Sequence, residues 1–546
     1  MGRPTARTIA ALGGFALLPA LALAAPAAAG TAATAGTPTT AHTPATTDAS
    51  ATADAAATTQ AEGPPEQWRG YWVDAFNAGI YDAGQVTDLV ADAEALGANV
   101  LVVQVGRRFD CFCNDALFPR TDAFVDPAPY DPLAEVIEQA HAAGIEVHAW
   151  VNATTLWNSA TAPRSPEHAY NAHGFAAAGE DRWLNKRADG VEKVGNNSFI
   201  DPANRHAVDY VADAVASITQ NYDVDGVNLD YIRYPDYNTG DFVNDWGYSE
   251  VSLARFAAET GRTDVPAPTD EQFSDWRRDQ VSGLVRKIYL AMYEVDPSDR
   301  LSVNGITYAY GPGTYGGWEG TRPYRNVMQD WKGWLEEGIV DTVTAMNYKR
   351  DWVPAQAQMF DEWTEALADY RAGRHVVNGP ALYLNDVDSS VAQARKTLEA
   401  GLDGWMGYSY ANATMAATAS GDAAVKDAER AALTVALRAD VLADDVVVPD
   451  MTWKSAPTTG NVSGTVTLDG GAVADQADVV LHPVDGPGEK VLARTDGSGW
   501  FGAVDLAPGR YRVQVVEAGA EGTASAFVTV RAGTVAEVAV PADTLG

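Results

Sequence analysis

The sequence predicts an α/β protein: a (β/α)8 barrel of the TIM type followed by a small all-β sandwich. Three observations carry this. From Trp68 onward, short β-rich runs alternate with longer amphipathic helical runs, the pattern of parallel βαβ units. Polar and aromatic residues gather at the C-terminal ends of the β-rich runs, where a barrel places its site. Beyond residue 458 the helical spacing gives way to short alternating segments broken by Gly, Asp and Pro.

The chain has 546 residues, 46% of them hydrophobic, with 15 Trp, which is material for a sizeable core and more than one domain. Residues 1–29 read as a signal peptide, with Arg3 and Arg7 at a basic start, an apolar run from 9 to 25, and three alanines at 27 to 29 as a cleavage site. An uncleaved anchor is the alternative, but the run is short for a spanning helix and no stop-transfer flank follows. The mature protein is therefore expected to be secreted or extracytoplasmic, with no membrane insertion after cleavage. Residues 30–66, built from Ala, Thr, Pro and Gly, lack the bulky side chains that offset ordering entropy and read as a disordered linker.

The formal charge is -35, and losing Arg3 and Arg7 with the leader makes it more negative still. Such a field repels nucleic acid and anionic membranes. The only cysteines are Cys111 and Cys113. Export favours their oxidation, but so close a pair makes a strained bridge, so a local disulfide and two free thiols both stand. Two thiols with no nearby His make a poor zinc set. Neither a metal nor a cofactor is expected.

The barrel is placed at 67–440. Its strands are read at 70–76, 99–106, 145–152, 225–232, 301–306, 341–348, 375–383 and 404–410. Between them lie segments such as "AGQVTDLVADAEALG" and "RHAVDYVADAVASITQNY", with apolar residues at helical spacing and Gly97 and Gly144 as C-terminal stops. A doubly wound sheet is the competing topology, but no glycine-rich phosphate loop follows the first strand. In "DGVNLDYIRYP" (225 to 235), Val227 and Leu229 share one face of a strand while Asn228 and Asp230 share the other. The same reading puts Trp72 and Asp74, Gln104, His148 with Trp150 and Asn152, Asn304, Asn347 with Tyr348, Asn378 with Tyr383, and Ser409 with Tyr410 at strand ends. Residues 441–457 read as a connector. The tail at 458–546 has its own strand set, so the barrel is expected to fold and work without it.

Several phrases, "RGYWVDAF", "LGANVLVVQV", "LFPRTDAF", "GIEVHAWVN", "FIDPANRHAVDYVADAV", "YDVDGVNLDYIRYP" and "QDWKGWLEEGIVD", occur in order between about Arg69 and Ala411. Together they resemble the glycosyl hydrolase-like 10 family. The resemblance implies an exported barrel-fold glycosidase, with peptidoglycan glycan strands among the family's substrates. Two departures stand out: Gly106 occupies a position where members commonly carry Arg, with Arg107 and Arg108 following, and Asp230 is followed by Tyr231 instead of a second acid. The strand also echoes the chitinase pattern Asp-x-Asp-x-Glu, but Asn228, Asp230 and Ile232 stand there, so that mechanism does not carry over. In the tail, "TDGSGWFGAVDLAPGRYRVQV" resembles carboxypeptidase regulatory-like domains, which implies a spacer or adhesive module.

Glycoside cleavage needs one group to protonate the leaving oxygen and another to act as nucleophile or base. Asp230 takes one role, the competing reading being a salt bridge to Arg233 or a hydrogen-bond hub for the barrel floor. Asp74 is the expected partner, with Glu319 and Asp351 as alternatives; assistance by a substrate acetamido group would need only one acid. The substrate-binding set is Gln104, Arg107, Trp150, Asn152, Tyr231, Arg233, Asn304, Asn347 and Tyr348, with Tyr234 and Trp352 as further stacking candidates, Lys349 as a second cation and His148 as an interior histidine. The function expected is a secreted glycoside hydrolase acting on a bacterial polysaccharide, with peptidoglycan glycan favoured. The alternative is a catalytically inactive glycan-binding barrel of the cell envelope. A polysaccharide is the partner expected, and nucleic acid is not; the sequence leaves the oligomeric state open.

Overall fold

The computed structural model describes residues 65–468, 471–485, 488–516 and 525–542. The signal peptide read at 1–29, and the linker at 30–66 apart from its last two residues, lie outside the described residues.

Eight parallel strands close into a barrel. They are β1 (Trp68–Val73), β2 (Val100–Gly106) and β3 (Glu146–Asn152), then, after a short antiparallel pair β4 (Thr155–Trp157) and β5 (Ser198–Phe199), β6 (Gly226–Asp230), β7 (Arg300–Ile306), β8 (Thr342–Asn347), β9 (His375–Pro380) and β10 (Gly404–Tyr408). Neighbours follow chain order around the ring, and β10 pairs with β1 to close it. Helices such as Ala83–Leu96, Arg205–Asn221, Glu271–Val295 and Pro354–Asp369 return the chain between strands. The first is capped by Asp82, which accepts from the Gln85 N–H at 2.9 Å, and ends at Gly97, whose φ of 73° only glycine adopts without strain.

Strand alternation sorts the side chains. Tyr71, Leu101, Val147, Val227, Leu301 and Val343 point outward into the core shared with the helices. The other parity faces inward, where Trp68, Trp72, Val102, Trp150, Val377 and Met406 make a separate inner cluster. Gly379 lines that interior because a Cβ there would overlap the Trp72 ring.

The floor is closed by charge. The Arg300 guanidinium donates to Thr342 Oγ1 at 2.8 Å, to His375 Nδ1 at 2.7 Å and to the Pro449 carbonyl at 2.8 Å. That last contact and others show that residues 441–457 are no free connector. Gln67 N–H donates to Val447 O at 2.8 Å, and Lys454 pairs with the fully buried Asp341 at 2.8 Å. Trp453 donates to the same carboxylate at 2.7 Å. The segment is stapled beneath the barrel.

The tail forms β11 (Gly460–Leu468), β12 (Asp478–Asp485), β13 (Val491–Arg494), β14 (Trp500–Leu506), β15 (Gly509–Val516), β16 (Ser525–Val530) and β17 (Val535–Ala542). They make a three-stranded sheet in the order β14-β11-β17 and a four-stranded sheet in the order β13-β12-β15-β16, around a core that includes Val462, Leu481, Phe501 and Tyr511. The sandwich docks on the barrel's helices through Arg255–Asp475 at 2.6 Å, Lys287–Asp496 at 2.9 Å, Arg374–Asp505 at 2.6 Å and Arg494–Glu259. Trp500, Val504 and Val535 pack against the barrel's own core. The two parts are thus joined by packed apolar area as well as ion pairs, more than an independent tail would need.

Candidate active site

Asp230 is the last residue of β6 and pairs in register with Asn152 of β3. Inward parity and strand end together put its carboxyl at the barrel mouth. It is 6% exposed, and its Oδ1 accepts from the Tyr231 N–H at 2.6 Å. Burial raises its pKa, with Arg233, the Tyr231 N–H, Asn304 and Trp150 opposing, and the net direction is upward. A carboxyl that keeps its proton above the usual range suits a proton donor. Tyr231 follows at φ 49°, a left-handed conformation unusual for a bulky residue, and reverses the chain at the mouth.

Aromatic rings enclose this carboxyl. Tyr348 and Tyr408 stack at 5.2 Å and 24°. Tyr383 meets them edge-on at 6.1 and 5.8 Å, Trp72 at 6.4 and 6.0 Å, and Trp150 approaches Tyr408 at 6.3 Å. Asp74 stands just past β1, 4% exposed, with Oδ1 accepting from the Phe76 N–H at 3.1 Å and from Asn77 Nδ2 at 2.7 Å. The Tyr408 phenol is raised by burial first and then by both Asp74 and Asp230, so it lies within electrostatic reach of the two carboxylates.

Several residues assigned to substrate spend their polar groups on one another. Gln104 accepts from the Ala75 N–H at 3.1 Å and donates to Asn152 Oδ1 at 3.4 Å; that same oxygen accepts from Trp150 Nε1 at 3.1 Å, and Asn152 Nδ2 donates to the Arg107 carbonyl at 2.8 Å. Arg107 Nη1 donates to Ala75 O at 2.9 Å, and its guanidinium lies over Phe76 and Phe112 at 4.9 and 5.4 Å. This network fixes the Trp150 ring and the exit of β1. Asn304 is buried on β7 and is among the groups acting on Asp230.

Arg233 does not form the close ion pair with Asp230 that the competing reading required. Its Nη1 lies 3.6 Å from Asp236 Oδ1, and its guanidinium sits 4.5 Å over the Tyr231 ring. Asp236 in turn accepts from the Tyr308 hydroxyl at 2.9 Å. Lys349 follows Tyr348, is 6% exposed, and donates from Nζ to Thr307 O at 2.7 Å.

Asn347 is a correction. Its parity matches Val343 and Ala345, and its Nδ2 donates outward to Phe360 O at 3.1 Å in the helix layer, so it does not face the mouth. Asn378 likewise bonds Thr364 and Thr397 at 2.9 and 3.1 Å. At the end of β10 the inward ring is Tyr408, while Tyr410 points out to Asp92 at 2.9 Å. Tyr234 lies fully buried in the outer core. Glu319 is exposed, and Asp351 pairs with Lys396 at 3.4 Å. His148 sits within the barrel, 3.2 Å from Glu146 Oε2 and edge-on to Trp68 at 5.0 Å. Trp352 and Phe76, 56% and 51% exposed, stand on loops leaving β8 and β1. Tyr408, Asp236 and Tyr308 were missed: parity counted from Met406 would have found the first, but nothing in the sequence pairs the other two. Cys111 and Cys113 are disulfide-bonded, with Cα atoms 5.0 Å apart.

A closed parallel barrel with a buried acid and a ring of aromatics at its C-terminal mouth has the build of a glycosidase. Consistent with that, the glycosyl hydrolase-like 10 profile matches residues 67–383, more than half the chain, and the protein belongs to that family. It is 26% identical over 270 residues to Glycosyl hydrolase YngK of Bacillus subtilis, covering 48% of each chain. It is 22% identical over 287 residues to Glycosyl hydrolase DigH of Escherichia coli, covering 48% of this chain and 57% of that one. The chain thus spans about half the length of the curated relatives it matches. Among solved structures, it resembles the catalytic domain of a β-amylase from Paenibacillus polymyxa (11% identity, TM-score 0.49, 69% of this chain and 99% of that one). It also resembles the PgaB glycoside hydrolase domain from Bordetella bronchiseptica (13% identity, TM-score 0.47, 67% and 98%). The closed ring of eight parallel strands itself defines the fold.

Proposed function

We propose that this protein is a secreted glycoside hydrolase cleaving glycosidic bonds in a bacterial polysaccharide, with peptidoglycan glycan strands as the substrate. The observation that carries the reading is Asp230, a buried carboxyl held protonated to higher pH at an aromatic-lined barrel mouth. Asp230 donates its proton to the leaving glycosidic oxygen, and Asp74 serves as base or nucleophile on the developing oxocarbenium centre. Trp150, Tyr231, Tyr348 and Tyr408 offer ring faces to the sugars, and the exposed Trp352 and Phe76 extend that surface outward. Extracytoplasmic residence draws support from the Cys111–Cys113 bond, a linkage that persists in oxidising compartments. Likeness to the glycosyl hydrolases YngK and DigH supports the reaction class.

Incubation of the purified protein with denuded peptidoglycan should release new reducing ends. Asp230→Asn should lower the rate by about 10²- to 10⁴-fold with glycan binding retained, as expected for loss of a general acid. Near-normal turnover in that variant would refute the assignment. The glycan-binding alternative has one observation in its favour, since Oδ1 of Asp74 is already occupied by two donors. Binding without release above a heat-killed control would establish it.

A further inference from the structure

Two lysines of this chain carry buried ammonium groups in the barrel, and they are not alike. Lys454, beneath the floor, has the Asp341 carboxylate at 2.8 Å. Lys349, at the catalytic face, has no carboxylate within 4.0 Å among the described residues, and its one polar contact is the Thr307 carbonyl at 2.7 Å. An ammonium has three donors, so two are left without a protein acceptor. Burial alone brings its pKa down to about 7, with no charged neighbour contributing. Burying a cation without a counter-ion is unfavourable, and a purely structural position would be filled better by an apolar side chain of the same length.

The position of Lys349 gives that cost a use. It directly follows Tyr348, whose ring stacks on Tyr408 beside Asp230, and its side chain reaches across to the residue after Ile306, the end of β7, the strand that delivers Asn304 to Asp230. The backbone there is fixed: the Lys349 carbonyl accepts from Asn385 Nδ2 at 2.9 Å and from Gln393 Nε2 at 3.1 Å. The ammonium is therefore held between the exits of β7 and β8, at the level of the mouth. Of the other cations nearby, Arg233 is engaged by Asp236 at 3.6 Å, Arg107 by the Ala75 carbonyl and two aromatic rings, and Arg350 lies over the Trp352 ring at 6.0 Å.

We propose that Lys349 is a specificity residue that receives a carboxylate carried by the glycan, so that the site selects acidic sugar units over neutral ones. The inference rests on the glycosidase reading above. The substrate's carboxylate supplies the counter-ion that the fold omits and takes up the free donors, a charge-assisted contact in a desolvated setting. In a protein of formal charge -35, selection of an anionic substrate cannot come from the overall field and needs such a local cation.

The test uses the full chain carrying Asp230→Asn, so that ligand survives the measurement, and two probes. One is a tetrasaccharide from denuded peptidoglycan, and the other is the same molecule with its lactyl carboxyls reduced to alcohols. The acidic form should bind about tenfold or more tightly than the reduced form, the range of a charged hydrogen bond. Adding Lys349→Met should abolish most of that ratio while leaving affinity for the reduced form within about twofold, since that probe has no carboxylate for the ammonium to meet. Equal binding of the two probes by the Lys349 protein overturns the inference, and that arm needs no second variant to fold. A ratio that persists in Lys349→Met overturns it equally. Failure to bind either probe overturns the glycan reading itself, and this inference with it.

Discussion

The Lys454–Asp341 pair under the barrel yields a quantitative expectation. The two side chains are 4% and 0% exposed and lie 2.8 Å apart, and Asp341 also accepts from Trp453 Nε1 at 2.7 Å and from the Leu301 N–H at 2.8 Å. Burial pushes the Asp341 pKa up, but Lys454 and these donors outweigh it and hold the carboxyl below its ordinary value. Lys454→Met keeps the length of the side chain and removes the charge, leaving a carboxylate without a counter-ion. Breaking a buried pair from one side costs about 3 to 5 kcal/mol, and the two remaining donors place this case near 3 kcal/mol. A depressed carboxylate contributes stability above its unfolded pKa of about 3.9 and loses it as pH falls through the folded value. In Lys454→Met the largest charge opposing burial is gone and the folded pKa rises. The stability deficit should then be full at pH 7 and shrink as pH is lowered and Asp341 takes a proton. Urea unfolding followed by Trp fluorescence at pH 7 and near pH 5 measures both quantities. A deficit below about 1 kcal/mol at pH 7, the size of a surface pair, or one that does not change with pH, would refute this account.

Three further outcomes are expected. Because the pKa of Asp230 is raised, the alkaline limb of kcat/KM should fall above the ordinary carboxylate range, and a profile breaking near pH 4 would argue against Asp230 as the acid. Asn347→Ala should cost about 1 to 3 kcal/mol of stability with kcat and KM unchanged, because its amide serves Phe360 and not the mouth; a raised KM would return it to the substrate set. A chain ending at residue 457 should melt below the full protein and bind apolar dye, since it exposes the barrel surface now covered by Trp500, Val504 and Val535; an unchanged melting temperature would show the sandwich to be energetically separate.

The barrel was legible because each strand alternates apolar residues bound for the helices with residues bound for the interior, and the helices between carry their own stops. Asp230 was legible for the same reason: Val227 and Leu229 fix the face that Asp230 leaves. The errors came from reading strand ends without counting. On β8, the apolar Val343 and Ala345 send Asn347 outward and Tyr348 inward, and on β10 the inward series from Met406 reaches Tyr408 before the chain turns away. Contacts made by loops had no such period. The Arg233–Asp236–Tyr308 chain joins residues up to 75 positions apart, and the burial of Lys349 depends on a carbonyl 42 positions away, so neither left a local signal. The segment at 441–457 has no periodic pattern to show that its Lys454 and Trp453 are consumed by Asp341.

That segment also sets an order on how the molecule can be completed. Gln67, just ahead of the first barrel strand, is bonded to Val447, and Arg300 and Asp341 find their partners at Pro449, Trp453 and Lys454. A chain made from its N-terminus at about 5–20 residues per second must wait for this stretch, some 40 residues past the last barrel strand, before the floor can be sealed. Until then Asp341 is a carboxylate without its lysine, and the half-made barrel gains little by closing early. Such a late bolt leaves the floor of the nascent barrel unsealed until the stretch from Val447 to Lys454 has been made.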